Sequence, residues 1–187
     1  MKSQLMKSAV IVVDLVNDFV SGKFGSERSK IVSKKSADFL DRIAGKLPVI
    51  FTMDTHIKND PEFRIWGEHC LEGTWGSQIS PDLEHIAASR IRKRHYDSFY
   101  DSDLDGLLRA WDVKTLYIFG ISTDICVQHT VAGAFYRNYD VKVIEDLCTS
   151  IDQSKHMSAL EFIKTNYGAM IMQSEEALNE IRNLEKQ

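Results

Sequence analysis

Cysteine, proline and long apolar runs are all scarce in this chain of 187 residues. Three cysteines, an odd number spaced far apart, make no disulfide framework and point to a reducing compartment, so a cytoplasmic protein is expected. The three prolines, Pro48, Pro61 and Pro81, are too scattered to form a linker. No apolar run approaches the ~18 residues of a membrane helix, so no membrane partner is expected. The first residues place two lysines ahead of an apolar run, as a secretory leader would. That run spans only Ala9 to Val13 before Asp14 ends it, and it reads as a strand. No basic block stands out either. With 23 Lys+Arg against 27 Asp+Glu the net charge is −4, so no nucleic-acid partner is expected.

What is present suits a globular fold: 43% hydrophobic and 27% charged residues, with enough chain for one domain over residues 1–187. A fold of this size buries roughly 70% of the surface its open chain exposes. Short β-rich runs alternate with stretches of helical period, the pattern of an α/β fold on a parallel sheet. Strands are expected at Ser8–Asp14, Pro48–Met53, Arg90–Lys93, Thr115–Gly120, Val141–Asp146 and Ala169–Met172. Helices are expected at Val32–Lys46, Leu104–Trp111, Asp124–Asn138, Gln153–Asn166 and Glu175–Lys186. Ser150 with Gln153 predicts a capping box for the fourth helix, and Gly168 a left-handed stop after it.

One stretch follows no period. From Asp54 to about Leu83 the chain carries Phe63, Trp66, His69, Cys70 and Trp75 among glycines and prolines. A segment that long inside a compact domain is functional or disordered, and its aromatic content argues against disorder.

Polar residues cluster where strands end. Asp14 closes the first expected strand, Asp54 and His56 follow the second, Lys93 closes the third, and Cys126 lies beyond the fourth. In an open parallel sheet ligands bind outside the carboxyl ends of the strands, so these groups are expected at one edge. Cys126 enters a helix through the turn GISTDIC, where the dipole favours a thiolate nucleophile. It could equally be a small residue packing helix on sheet, and the local sequence leaves both open. Asp14 directly follows the apolar run from Ala9 to Val13 and suits a buried proton shuttle or a turn cap. Lys93 could neutralise two anions, or be one of three solvated cations in RKR. Asp54 and His56, at i and i+2, face one side of an extended chain, and His69 returns after a loop long enough to close on a metal. Two imidazoles and a carboxylate suit Zn²⁺, with Mn²⁺ or Fe²⁺ as alternatives. Cys148 is expected as core filling, and Cys70, beside His69, stays open. His95, His129 and His156 are expected on the surface or on helices, with His129 a minor candidate for a Cys/His pair.

Five segments together carry a resemblance: VDLVNDF at Val13–Phe19, DTH at Asp54–His56, WGEHCLEGTWGSQISPDL at Trp66–Leu83, KRHYDSF at Lys93–Phe99 and GISTDICV at Gly120–Val127. In this order they make the chain similar to the isochorismatase-like cysteine hydrolases, and within them most like nicotinamidases. The resemblance implies a three-layer α/β/α fold with a six-stranded parallel sheet, and a catalytic triad of Asp14, Lys93 and Cys126. It implies backbone N–H groups of Ser122 and Cys126 as an oxyanion hole, and a cis peptide at Ile121–Ser122. It also implies Phe19 and Trp66 beside the substrate ring, and a divalent metal on Asp54, His56 and His69, with Glu62 a further ligand in some members. Nicotinamide is the first substrate implied, and a dimer or tetramer of the chain the assembly. Val16 stands where many relatives carry Gln, and the segment between His56 and His69 is shorter than in many nicotinamidases. Three alternatives remain: an N-carbamoylsarcosine amidase or related ureido hydrolase, a metal-hydroxide hydrolase, and an inactive binding relative.

Overall fold

A computed structural model describes residues 8–184. The two lysines considered above as a leader's start, and the final two residues of the last expected helix, lie outside the described residues. Among the described residues six strands form one parallel sheet in the order β3-β2-β1-β4-β5-β6. They are β1 (Ser8–Val13), β2 (Val49–Asp54), β3 (Ser89–Lys93), β4 (Thr115–Ile121), β5 (Asp140–Thr149) and β6 (Met170–Met172). The α/β class and the strand count match the expectation. β1 is buried along its whole length, as a near-continuous apolar run covered on both faces must be. Val10, Ile11, Val12 and Val13 are at most 1% exposed, and such burial stabilises by about 1.5–3 kcal/mol per side chain.

Among the described residues seven α-helices accompany the sheet: α1 (Asn17–Val20), α2 (Glu27–Arg42), α3 (Phe63–Trp66), α4 (Leu104–Ala110), α5 (Gln128–Tyr136), α6 (Gln153–Tyr167) and α7 (Ser174–Leu184). α2 and α7 pack together against β5, and α5 and α6 form a second pair against it. Three expectations shift. α2 starts five residues earlier than its apolar period, because Ser26 caps it by accepting from the Ser29 N–H and the first turn is polar. The helix expected from Asp124 is divided: Thr123–Val127 is a wide π turn, and α5 follows it. The capping box on Ser150 does not form. Asp152 caps α6 by accepting from the Ser154 N–H, while Ser150 is buried. Gly168 does stop α6 in the left-handed region, at φ 66°.

Register sets the site. Val13 pairs with Thr52 of β2 and with Gly120 of β4, and Asp54 pairs with Lys93 of β3. Sequence order reverses between β1 and β4, so the ends of β1, β2, β3 and β4 meet at the switch point of the sheet.

Candidate active site

Asp14 is the first residue past β1, and its φ of 52° turns it out of the strand. A non-glycine residue there is strained and persists only where its surroundings over-determine it. Here Thr52 does so, since its carbonyl accepts from the Asp14 N–H at 3.1 Å and its hydroxyl donates to Asp14 Oδ1 at 3.2 Å. Lys93, ending β3, points inward and is 2% exposed, whereas Arg92 is exposed and pairs with Glu72. Lys93 Nζ stands 2.6 Å from Asp14 Oδ2, 3.4 Å from Asp54 Oδ1 and 3.7 Å from Cys126 Sγ. The four groups therefore converge, as their positions at strand ends led us to expect.

Their charges follow from burial. Taking Lys93 out of water works against its ammonium, but Asp14, the Cys126 sulfur and Asp54 together outweigh that and hold its pKa well above the ordinary lysine value. Burial raises the Asp14 pKa, with Lys93 pulling it down and Asp54 pushing it up. Burial likewise pushes the Cys126 thiol well above its usual range, and the pull of Lys93 does not offset it. The expectation from the helix dipole is corrected here. Cys126 is 6% exposed inside a π turn, so desolvation wins and the resting group is a thiol beside a carboxylate.

A second cluster abuts the first. Asp54, His56 and His69 each offer a ligand atom, all within 4.8 Å of one another. The Nε2 atoms of His56 and His69 lie 3.0 and 3.4 Å from Asp54 Oδ2. Each ring's Nδ1 is engaged elsewhere, His56 against Asp60 Oδ2 at 3.1 Å and His69 against the Gly67 carbonyl at 2.8 Å. That leaves both Nε2 atoms turned to one point, as a divalent cation requires. Burial opposes charge on His56, but Asp54, Asp60 and Glu62 raise its pKa to about 9. Asp54 is held low by Lys93, His56 and His69 in spite of its burial. Glu62 faces the same point from farther away, with Oε1 4.0 Å from His56 and 3.9 Å from His69. Cys70 offers no ligand atom to this group. Its thiol is buried and its main chain accepts from the His56 N–H and donates to Asp18.

Cys126, Ser122, Asp54, His69 and Glu62 line one cavity with walls of Phe19, Phe24, Trp66, Tyr96, Ile125 and Ile151. Phe19 stacks on Phe24 with ring centroids 5.7 Å apart, and Phe24 meets His69 edge-on at 5.2 Å. Trp66 Nε1 donates to the Tyr96 hydroxyl at 2.9 Å. Aromatic walls around a few convergent polar groups are the lining that suits a flat, small organic molecule. The Ile121–Ser122 peptide is cis, as the resemblance implied.

Several residues went unassigned in the sequence. Tyr96 lay inside KRHYDSF, Asp60 four residues past His56, and Thr52 as a polar residue in an apolar strand; Phe24 and Ile151 left no signal, since only the folded loops bring them in. His156 was expected at the surface or on a helix. It is on α6 but buried, with Nδ1 2.8 Å from the Thr123 hydroxyl. His129 is exposed and turned to the Ile125 carbonyl, so no Cys/His pair forms with Cys126. Cys148 is buried, as expected.

Residues 8–176 match the family described as "Isochorismatase domain". The nicotinamidase/pyrazinamidase of Mycobacterium tuberculosis is 27% identical over 175 residues, covering 84% of this chain and 94% of that protein. Among solved structures, an N-carbamoylsarcosine amidase from Thermoplasma acidophilum superimposes with a TM-score of 0.83 at 34% identity, covering 90% of this chain and 97% of that one. A pyrazinamidase/nicotinamidase from Streptococcus mutans gives 0.80 at 30%, covering 88% and 99%.

Proposed function

The chain belongs to the isochorismatase family of hydrolases, and from that premise we propose that it is a cysteine amidohydrolase of a small carboxamide, nicotinamide before others. The observation that carries this reading is that Lys93 contacts both Asp14 and Cys126, and that Cys126 lines an aromatic cavity.

In this mechanism Asp14 accepts the Cys126 proton as the sulfur attacks the carboxamide carbon. Backbone N–H groups of Ser122 and Cys126 hold the developing oxyanion, each such donor supplying about 3–4 kcal/mol. Asp14 then gives the proton to the leaving nitrogen, and ammonia departs from an acyl-thioenzyme. A water deprotonated by Asp14 attacks the thioester and frees the acid. Lys93 keeps its charge throughout and balances whichever anion is present. Asp54, His56 and His69, with Glu62 beside them, would hold a divalent cation, zinc by the donor set, which supplies a Lewis-acidic anchor for a ring nitrogen or its water. Phe19 and Trp66 would flank the ring. The full proposal is a one-domain cytoplasmic enzyme, free of nucleic acid and membrane, assembled as a dimer or tetramer. The exposed rings of Phe135, Tyr136 and Phe162 are the feature that supports assembly.

The test is ammonia release from nicotinamide, pyrazinamide and N-carbamoylsarcosine, paired with metal analysis. Turnover of nicotinamide by the wild type, and none by a Cys126→Ala variant that still binds it, is the expected outcome. Near wild-type turnover by that variant would overturn the mechanism. A second reading is favoured by the 34% identity to an N-carbamoylsarcosine amidase. Turnover of the ureido substrate alone, persisting after metal removal, would select it.

A further inference from the structure

The hydroxyl that Thr52 offers Asp14 is the end of a buried chain. Ser98 Oγ donates to Thr52 Oγ1 at 3.3 Å, and Ser98 Oγ and Thr130 Oγ1 are 2.8 Å apart. The Ser98 N–H also donates to Thr130 Oγ1, at 3.2 Å. All three hydroxyl residues are 0% exposed. Each hydroxyl has one proton, and an ionised carboxylate can only accept. Thr52 must therefore donate to Asp14, which makes it the acceptor from Ser98. Ser98's proton is then committed, so Thr130 donates to Ser98. The carboxylate thus sets the direction of all three protons, and three dipoles point at Asp14 Oδ1, each polarising the next.

We propose that Thr52, Ser98 and Thr130 form a positioning relay that fixes the rotation of the Asp14 carboxylate relative to Cys126. Thr52 comes from β2, Ser98 from the segment after β3, and Thr130 from α5, four residues beyond Cys126. The chain ties the base to the helix that follows the sulfur. It occupies Oδ1 and leaves Oδ2, the oxygen 2.6 Å from Lys93, as the atom that takes up and returns a proton. Without the Thr52 hydroxyl the carboxylate keeps its ion pair but loses the contact that stops it from rotating.

This inference rests on Asp14 acting as base, and its test separates the two claims. Thr52→Val keeps the volume and removes the donor. We expect kcat for the amide to fall about tenfold to a hundredfold, the scale of a hydrogen bond to a charged group, with KM within twofold. Thr52→Ser should restore most of the rate, and Ser98→Ala, which breaks the chain one link away, should lose less than Thr52→Val. A Thr52→Val kcat within twofold of wild type overturns the relay, as does failure of Thr52→Ser to rescue. If Thr52→Val does not fold, Ser98→Ala and Thr130→Val decide, and unchanged kcat in both overturns it. Should the wild type hydrolyse no amide at all, the functional reading falls. The relay is then read from the rate at which iodoacetamide alkylates Cys126, followed by mass spectrometry. A fivefold or larger change in Thr52→Val, reversed in Thr52→Ser, supports it; equal rates overturn it.

Discussion

Lys93 holds its ammonium 2.6 Å from the carboxylate of Asp14, with both side chains fully buried. The same nitrogen lies 3.4 Å from Asp54, so one cation serves two carboxylates belonging to two adjacent clusters. Removing it strands the buried charge of Asp14 and leaves Asp54 with its two imidazoles alone. A Lys93→Met variant should lose about 3–5 kcal/mol of stability, the range for breaking a buried ion pair, together with measurable turnover. Denaturant titration and an ammonia assay check both losses; a variant as stable as the wild type would contradict the pairing.

Thiol reactivity should report the burial of Cys126. Its pKa is raised by desolvation, so the thiolate fraction stays small at neutral pH and grows only above the ordinary cysteine range near ~8.5. The alkylation rate of Cys126 in the free enzyme should therefore still be climbing at about pH 9. A plateau below about pH 8, measured by peptide mass spectrometry, would show a depressed pKa instead.

Metal removal should be visible in stability as well as in activity. A cation that binds only the folded chain stabilises it by mass action, by about 2.7 kcal/mol at a hundredfold excess over Kd, and so raises the melting temperature. Chelation should lower the melting temperature and zinc restore it, with no such response in His69→Ala. Asp60 sits 3.1 Å from His56 Nδ1 and orients that ring. Asp60→Asn should weaken zinc binding about 10–100-fold in a competition titration.

Gly120 has φ 137°, and a Cβ there would lie 2.0 Å from the Val13 carbonyl oxygen. Gly120→Ala forces β1 and β4 apart next to Asp14. The backbone conformation alone costs about 1–3 kcal/mol, and the clash adds to it. Thermal unfolding should show the loss, and turnover should fall further than stability alone accounts for.

His156 is buried, and desolvation lowers its pKa, with Glu145 and Asp124 pulling weakly the other way. The unfolded chain protonates this residue near pH ~6.5 while the native chain resists, so stability falls as pH drops through that value. A His156→Asn variant, which retains a partner for Thr123, should lose less melting temperature between about pH 7 and pH 5 than the wild type does.

Much of this site was legible along the chain because strands in a parallel sheet end at a common edge. Asp14 and Asp54 could be placed there once their strands were recognised by apolar runs, whereas Lys93 closes a short strand, SRIRK, that has no such run. The electrostatics could not be placed. The position of Cys126 at a helix start suggested a stabilised thiolate, but a local pattern does not reveal how deeply the turn is buried. The start of α2 was obscured because its first turn is polar and its inward positions include Ser29, Ser33 and Ser36 rather than aliphatics. Tyr96 and Phe24 enter the cavity from loops whose course depends on tertiary contacts, and no periodicity marks such residues.

The connection from β2 to β3 departs and returns on neighbouring strands, with Asp54 paired directly to Lys93. Glu62, Trp66 and His69 of the cavity, with His56 beside them in the metal-ligating cluster, are thereby borne on one cassette that leaves the sheet after Asp54 and re-enters it at Ser89. Exchange of that cassette for one of different length would retune ligand preference and cation choice in one recombination event, while the sulfur and its two charged neighbours stayed in place on the sheet.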